Sequence, residues 1–202
     1  MKICLIISIV LITVCCKSEN EKDATIKGNP EIKKEIQSNK IAPTDKSELY
    51  YITLLNEALK VQIPREFKIM DSEMLNLKYP ITAKRPTIVY TDSIGQINVA
   101  FNHTKDNISV ADVTKVQESI LNQLKQAPAI TLISSDYRGI NGREFFIIKF
   151  YSPAVDAQIY NLMFGTELNG RLLMGTFNCT VNHLQEWEPI ADKIVNSLEV
   201  LK

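Results

Sequence analysis

The sequence predicts an α+β fold, arranged as an α/β/α sandwich around a mainly antiparallel sheet. Three observations carry that expectation. Short β-branched and aromatic runs alternate with tight-turn signals, above all Ile140-Asn141-Gly142 and Leu168-Asn169-Gly170, where Asn and Gly tolerate positive φ. Two longer segments space their apolar residues for one face of a helix. Strands such as Phe145-Phe146-Ile147-Ile148 and Ile159 to Phe164 are apolar in both phases, which suits a sheet covered on both faces.

Taken in order, Tyr50 to Leu55 and Ala58 to Ile63 flank Asn56-Glu57 and read as a hairpin. Pro64 lacks a donor and stops the second strand, and Asp71 or Ser72 caps a short helix through Leu77. Thr87 to Thr91 and Gln96 to Asn102 form a second hairpin around Asp92-Ser93-Ile94-Gly95. Ser109 precedes a helix whose stripe is Val110, Val113, Val116, Gln117, Ile120, Leu121 and Leu124, ending near Pro128. Strands follow at Ile130 to Arg138, Arg143 to Ser152, Ala157 to Glu167 and Arg171 to Asn178. Val181 to Leu198 carries Leu184, Trp187, Ile190, Ala191, Ile194, Val195 and Leu198 at helical spacing, and Pro189 either kinks this helix or moves its start to Glu188. Hairpin connections make the sheet antiparallel, and two amphipathic helices need an apolar surface to cover.

Ahead of this domain, Lys2 and an apolar run too short to span a bilayer end at Cys15-Cys16, followed by charged Lys17-Ser18-Glu19-Asn20. The segment resembles a bacterial lipoprotein signal, in which a small residue precedes the Cys that takes the lipid. Cys16, preceded by the small Cys15, is the expected lipidation site. Cys15 is the alternative, with Ile12 well placed upstream but bulky Val14 immediately before it. The expected organisation is therefore a signal over 1–16, a flexible polar tether over 17–45, and one globular domain over 46–202. The tether mixes Lys and Glu with Gly28, Pro30 and Pro43, and holds too little apolar surface to offset the entropy of ordering. Lipid chains on the Cys would anchor the protein to a membrane, with the domain outside the cytoplasm and on the outer membrane where there is one.

The domain's segments also resemble the PsbP-like superfamily. The carrying residues are Leu59 to Phe67, Lys78-Tyr79-Pro80, Val89 to Phe101, the helix from Ser109, Ile140-Asn141-Gly142-Arg143-Glu144, Ile159 to Phe164, Gly170-Arg171-Leu172-Leu173, and the closing Ile194-Val195-Asn196-Ser197-Leu198. The likeness lies in order and texture. It implies the fold shared by photosystem extrinsic subunits, a Ran-binding nuclear import factor and small bacterial lipoproteins. It also implies a non-catalytic binding or accessory role.

The chemistry of the side chains points the same way. Lys plus Arg number 23 and Asp plus Glu number 23, so no net positive charge recruits nucleic acid. Cys179 is the one thiol beyond the signal, so the domain can form no internal disulfide. His103, His183 and Cys179 are too few and too dispersed for a zinc site, and Cys179 with His183 has no catalytic spacing of its own. Asp71 and Glu73 sit at a helix start, where acids favour the dipole, and Glu186 and Glu188 flank Trp187 as solvated surface. Neither a Gly-rich phosphate loop nor a Gly-x-Ser-x-Gly elbow occurs. No cofactor and no metal is expected. Polar residues on apolar strands, namely Arg143, Lys149, Tyr160, Asn161, Arg171 and Asn178, require partners that a bound molecule could supply. The expectation is a membrane-anchored envelope module that binds a protein partner. The alternative is a small-molecule-binding lipoprotein with a cleft lined by Arg143, Tyr160 and Asn161.

Overall fold

In the computed structural model, residues 48–82 and 85–201 are described; the expected signal, lipidated Cys and tether lie outside them. The first hairpin pairs β1 (Leu49–Leu54) antiparallel with β2 (Leu59–Pro64), and Leu55, Asn56 and Glu57 make the reversal with positive φ. Leu59, Val61 and Ile63 of β2 are fully buried, while Lys60 and Gln62 between them are partly exposed. Such one-sided alternation suits an outer layer. The hairpin accordingly stays out of the main sheet, and its own small sheet is completed by β10 (Glu199–Val200) on the free edge of β2.

The main sheet holds β3 (Lys68–Ile69), β4 (Ile88–Thr91), β5 (Asn98–Asn107), β6 (Thr131–Ile140), β7 (Arg143–Pro153), β8 (Gln158–Leu168) and β9 (Arg171–Thr180). Their order is β3-β4-β5-β9-β8-β7-β6, with every pairing antiparallel. Asn141 and Asn169 adopt φ of 48° and 51°, followed by Gly142 and Gly170 at 81° and 75°. Those are the left-handed pairs that two-residue hairpin turns require.

Helices cover both faces. α1 (Ser72–Lys78) starts at Asp71, whose Oδ1 accepts from Met74 N–H at 2.8 Å. α2 (Val113–Gln126) follows a single 3-10 turn, Val110–Asp112, where Ser109 N–H and Oγ both donate to Asp112 Oδ2 at 3.0 and 2.6 Å. The Ser109 bonds, hydroxyl first and backbone second, and the Lys115 ammonium hold the Asp112 carboxyl down to about 2. α3 (Leu184–Asn196) follows another 3-10 turn, Val181–His183, and runs through Pro189 without restarting at Glu188. Pro189 removes the donor for the Gln185 carbonyl, but both residues are exposed, so water can take its place.

One face of the sheet presents Val99, Phe101, Phe145, Ile147, Leu162, Phe164 and Phe177 to α3 and to β2. The other presents Phe146, Ile148, Phe150, Met163 and Leu172 to α2, while Val89, Ala100 and Ile159 lie beneath Met70, Tyr79 and α1. Strands apolar in both phases thus sit between two layers, one of them α3 plus the small sheet. Gly175 makes the first layer possible. The Phe164 ring lies where a Cβ on Gly175 would stand, and meets Phe101 edge-on at 6.0 Å.

Candidate functional site

The six polar strand residues fall into separate local networks. Lys149 Nζ donates to Glu188 Oε1 at 3.0 Å and to Asp192 Oδ2 at 3.3 Å. Tyr160 OH donates to the same Glu188 oxygen at 3.3 Å, and Arg138 Nη1 reaches Asp192 Oδ1 and Asn196 Oδ1 at 3.3 and 3.1 Å. Together they clip α3 to β6, β7 and β8. Burial, then the negative charges of Glu188 and Asp192, push the Tyr160 hydroxyl far above its ordinary range. Arg143 Nη1 bonds Glu167 Oε2 at 2.8 Å. Arg171 Nη2 donates to His103 Nδ1 at 2.7 Å, which leaves the ring proton on Nε2 to donate to Leu168 O at 3.0 Å.

Asn161 points to the opposite face from Tyr160, as strand alternation dictates, and its Nδ2 donates to Ser152 Oγ at 3.0 Å and Ile159 O at 3.2 Å. Arg143, Tyr160 and Asn161 therefore do not share a cleft. Asn161 belongs to a buried row across three strands, with Asn98 opposite Asn178 and Asn178 opposite Asn161. Asn98 Nδ2 donates to Asn178 Oδ1 at 3.0 Å and to Gly95 O at 3.2 Å, and Thr91 Oγ1 donates to Asn98 Oδ1 at 2.8 Å. The buried Lys78 ammonium also donates to Gly95 O. Gly95 takes this position with φ of 76° because a Cβ would fall 2.5 Å from Met74 Sδ. Of the six residues, Asn178 alone keeps a buried side-chain donor, Nδ2, without a partner.

A concave site forms elsewhere. A cavity of about 370 Å³ opens between Glu66, just after β2, the β4–β5 turn, and the start of α3. The turn contributes Asp92, Ser93, Ile94, Gln96 and Ile97; His183 and Trp187 close the third side. His183 Nε2 and Gln96 Oε1 are 3.0 Å apart, a hydrogen bond in which the ring N–H donates. Asp92 Oδ1 accepts from Ile97 N–H at 3.0 Å. Trp187 is buried, and its Nε1 has no partner. Sequence reasoning missed this site because its walls come from three segments far apart in the chain, and Asp92 to Gly95 reads as an ordinary turn.

Cys179 and His183 are not set up as a nucleophile and its base. His183 is engaged with Gln96, and burial, then Glu188, pushes the Cys179 thiol up to about 12. Among the described residues, no three of His, Cys, Asp and Glu are placed to hold a metal ion together, and no helix is long and apolar enough to cross a membrane.

No family model matches the chain, and no curated protein matches it. Solved structures do. The solution structure of cyanobacterial PsbP (CyanoP) from Synechocystis sp. PCC 6803 aligns with a TM-score of 0.52 at 13% identity, over 79% of this chain and 96% of that one. A mutant of Mog1 aligns at 0.46 and 12% identity, over 77% and 97%. LpqN of Mycobacterium tuberculosis, described as involved in cell envelope biogenesis, aligns at 0.45 and 8% identity, over 77% and 91%. The likeness to CyanoP is one of fold, and it agrees with the α+β, antiparallel architecture.

The burial of Cys179 generates a prediction. Iodoacetamide at about pH 8 should leave Cys179 unmodified while the domain is folded and alkylate it fully in concentrated guanidinium, as mass mapping would read. Alkylation of the folded protein at the rate of a free thiol would contradict the geometry.

Proposed function

We propose that the chain is a lipid-anchored, extracytoplasmic binding protein without catalytic activity, and that one end of its domain docks an envelope protein. The observation that carries the reading is the exposure of apolar side chains on β3, on and just after α1, and on the β4–β5 turn: Ile69 (61% exposed), Leu77 (61%), Ile81 (57%) and Ile94 (64%). Met70 N–H bonds Val89 O at 2.9 Å, which fixes β3 beside β4, and the Lys78–Gly95 bond holds α1 on the β4–β5 turn, so the elements that carry Leu77 and Ile94 adjoin. Exposed apolar groups on adjoining elements suit an interaction surface, since covering each one returns up to roughly 1.5–3 kcal/mol.

The anchor determines which partners are within reach. Lipid on Cys16, or on Cys15, would tether the domain through residues 17–45, whose r.m.s. span as a flexible coil would be about 30 Å. The fold shared with CyanoP is compatible with this reading and does not choose the partner. A second reading, small-molecule binding, is favoured by the cavity at the β4–β5 turn rather than by Arg143, Tyr160 and Asn161, whose polar groups are already engaged with other residues of the chain.

Two measurements test the proposal. A photo-crosslinker placed at Leu77 or Ile94 in intact cells should capture one discrete envelope protein, and the same probe at Val155, exposed in the β7–β8 turn, should not. Ile94→Asp should cut capture from position 77 by about tenfold, the equivalent of one lost apolar anchor of ~1.4 kcal/mol. Equal capture from all three positions, or none from any, would sink the docking surface. Metabolic labelling with a fatty-acid probe should vanish in Cys16→Ala; loss in Cys15→Ala instead moves the anchor by one residue, and labelling that survives both substitutions contradicts it.

A further inference from the structure

The main sheet ends on one side at β3, two residues long, and on the other at β6, which runs for 10 residues. β6 pairs with β7, and no strand among the described residues lies on its outer side. Which of its backbone groups face outward follows from the turn. Ile140 and Arg143 flank the two-residue Asn141-Gly142 reversal and so form a hydrogen-bonded pair, which makes Ile140, Arg138 and Asp136 turn their N–H and C=O groups toward β7. Ser135, Tyr137 and Gly139 therefore turn theirs outward. Gln117 of α2 pins this edge, its Nε2 donating to Ser135 Oγ at 2.7 Å and to Asp136 O at 3.0 Å.

Exposed edges are commonly blunted by lysine, by proline or by a bulge. β6 holds neither lysine nor proline, and its register shift lies at the far end, between Leu132 and Ser134. Its charges are Asp136 and Arg138, opposite Ile147 and Phe145 on the α3 face of the sheet. The Asp136 side chain is exposed, and its carboxylate takes no hydrogen bond or ion pair among the described residues. Arg138 bonds Asp192 and Asn196 through Nη1, which leaves Nε and Nη2 to donate elsewhere.

We propose that a second copy of the chain pairs with this edge, β6 antiparallel to β6 about a two-fold axis through Tyr137, so that Asp136 of each copy stands opposite Arg138 of the other. The charges select that register. An axis through Asp136 would set two carboxylates face to face, and one through Arg138 two guanidinium groups, and like charges directly opposite are destabilising. The axis through Tyr137 pairs opposite charges on both sides of it. It also sets outward backbone groups against outward backbone groups, Tyr137 with its counterpart and Ser135 with Gly139, as an antiparallel ladder requires. The two Tyr137 side chains, each 38% exposed, then stand side by side on the α2 face. This edge lies across the sheet from β3, so the inference stands whether or not the apolar end docks a protein.

Pairing over so few residues belongs with weak, transient interfaces, so the expected dissociation constant is on the order of 100 µM. Sedimentation equilibrium of the full-length chain in a density-matched non-ionic detergent, up to about ten times that concentration, should show monomer and dimer and nothing larger, because a two-fold contact closes on itself. Over the same range, amide exchange should slow at Ser135, Tyr137 and Gly139, whose N–H groups gain partners. Asp136→Arg should weaken the dimer by about tenfold, and Arg138→Asp added to it should restore the dimer, because the pair is then reversed rather than lost. Should the double variant lose the native circular dichroism, the exchange of the unaltered chain decides. A chain that stays monomeric throughout, a dimer that Asp136→Arg leaves undiminished, a folded double variant no stronger than Asp136→Arg alone, or concentration-dependent protection that misses residues 135–139 would overturn the proposal.

Discussion

Trp187 holds the layers of this domain in register. Its indole stacks on Phe67 at 5.5 Å between centroids and on Phe177 at 6.3 Å. Phe67 follows β2, Phe177 lies on β9 inside the main sheet, and Trp187 projects from α3, so a single side chain joins the outer layer to the sheet beneath it. Aromatic side chains of this size bury roughly 150–250 Å² each, and truncating such a buried Trp costs about 3–5 kcal/mol. The same residue forms one wall of the cavity, so the packing that orders the core also positions the hollow between Glu66, Asp92 and His183.

Around that contact, polar interactions select orientation more than they add stability. The Lys149–Glu188–Asp192–Arg138 network is only partly buried, where ion pairs contribute about 0–1 kcal/mol each, yet it fixes the rotation of α3 over β6 to β8. On the opposite face, the Asn98–Asn178–Asn161 row runs between the apolar cluster under α1 and the one under α2. Buried amides are costly when unpaired, so this row restricts how β5, β9 and β8 can slide against one another.

Much of the fold was legible because its signals are local. Asn141-Gly142 and Asn169-Gly170 announced their own backbone conformations, Asp71 and Ser109 announced helix starts, and the double apolar phase of β7 and β8 announced a sheet covered twice. What escaped depends on tertiary context. β3 and β10 are two residues each and exist only through their partners, and the separate small sheet follows from which side of β2 meets α3. The site was less legible than the fold. Strand alternation alone sends Tyr160 and Asn161 to opposite faces, and Arg143 is satisfied by Glu167, a partner 24 positions away that a local reading does not reveal. The cavity needs three distant segments to converge: the Trp187–Phe67 stack brings the segment after β2 to α3, and the His183–Gln96 bond ties the β4–β5 turn to the start of α3.

Trp187 couples the outer layer and, through the start of α3, the cavity turn to the sheet. Amide hydrogen exchange on Trp187→Leu tests it most directly, because exchange reports opening segment by segment. Protection should fall together in α3, in β2 and in residues 92–97, while β6, β7 and β8 keep theirs. A loss confined to α3, with β2 and the β4–β5 turn as protected as before, would contradict it.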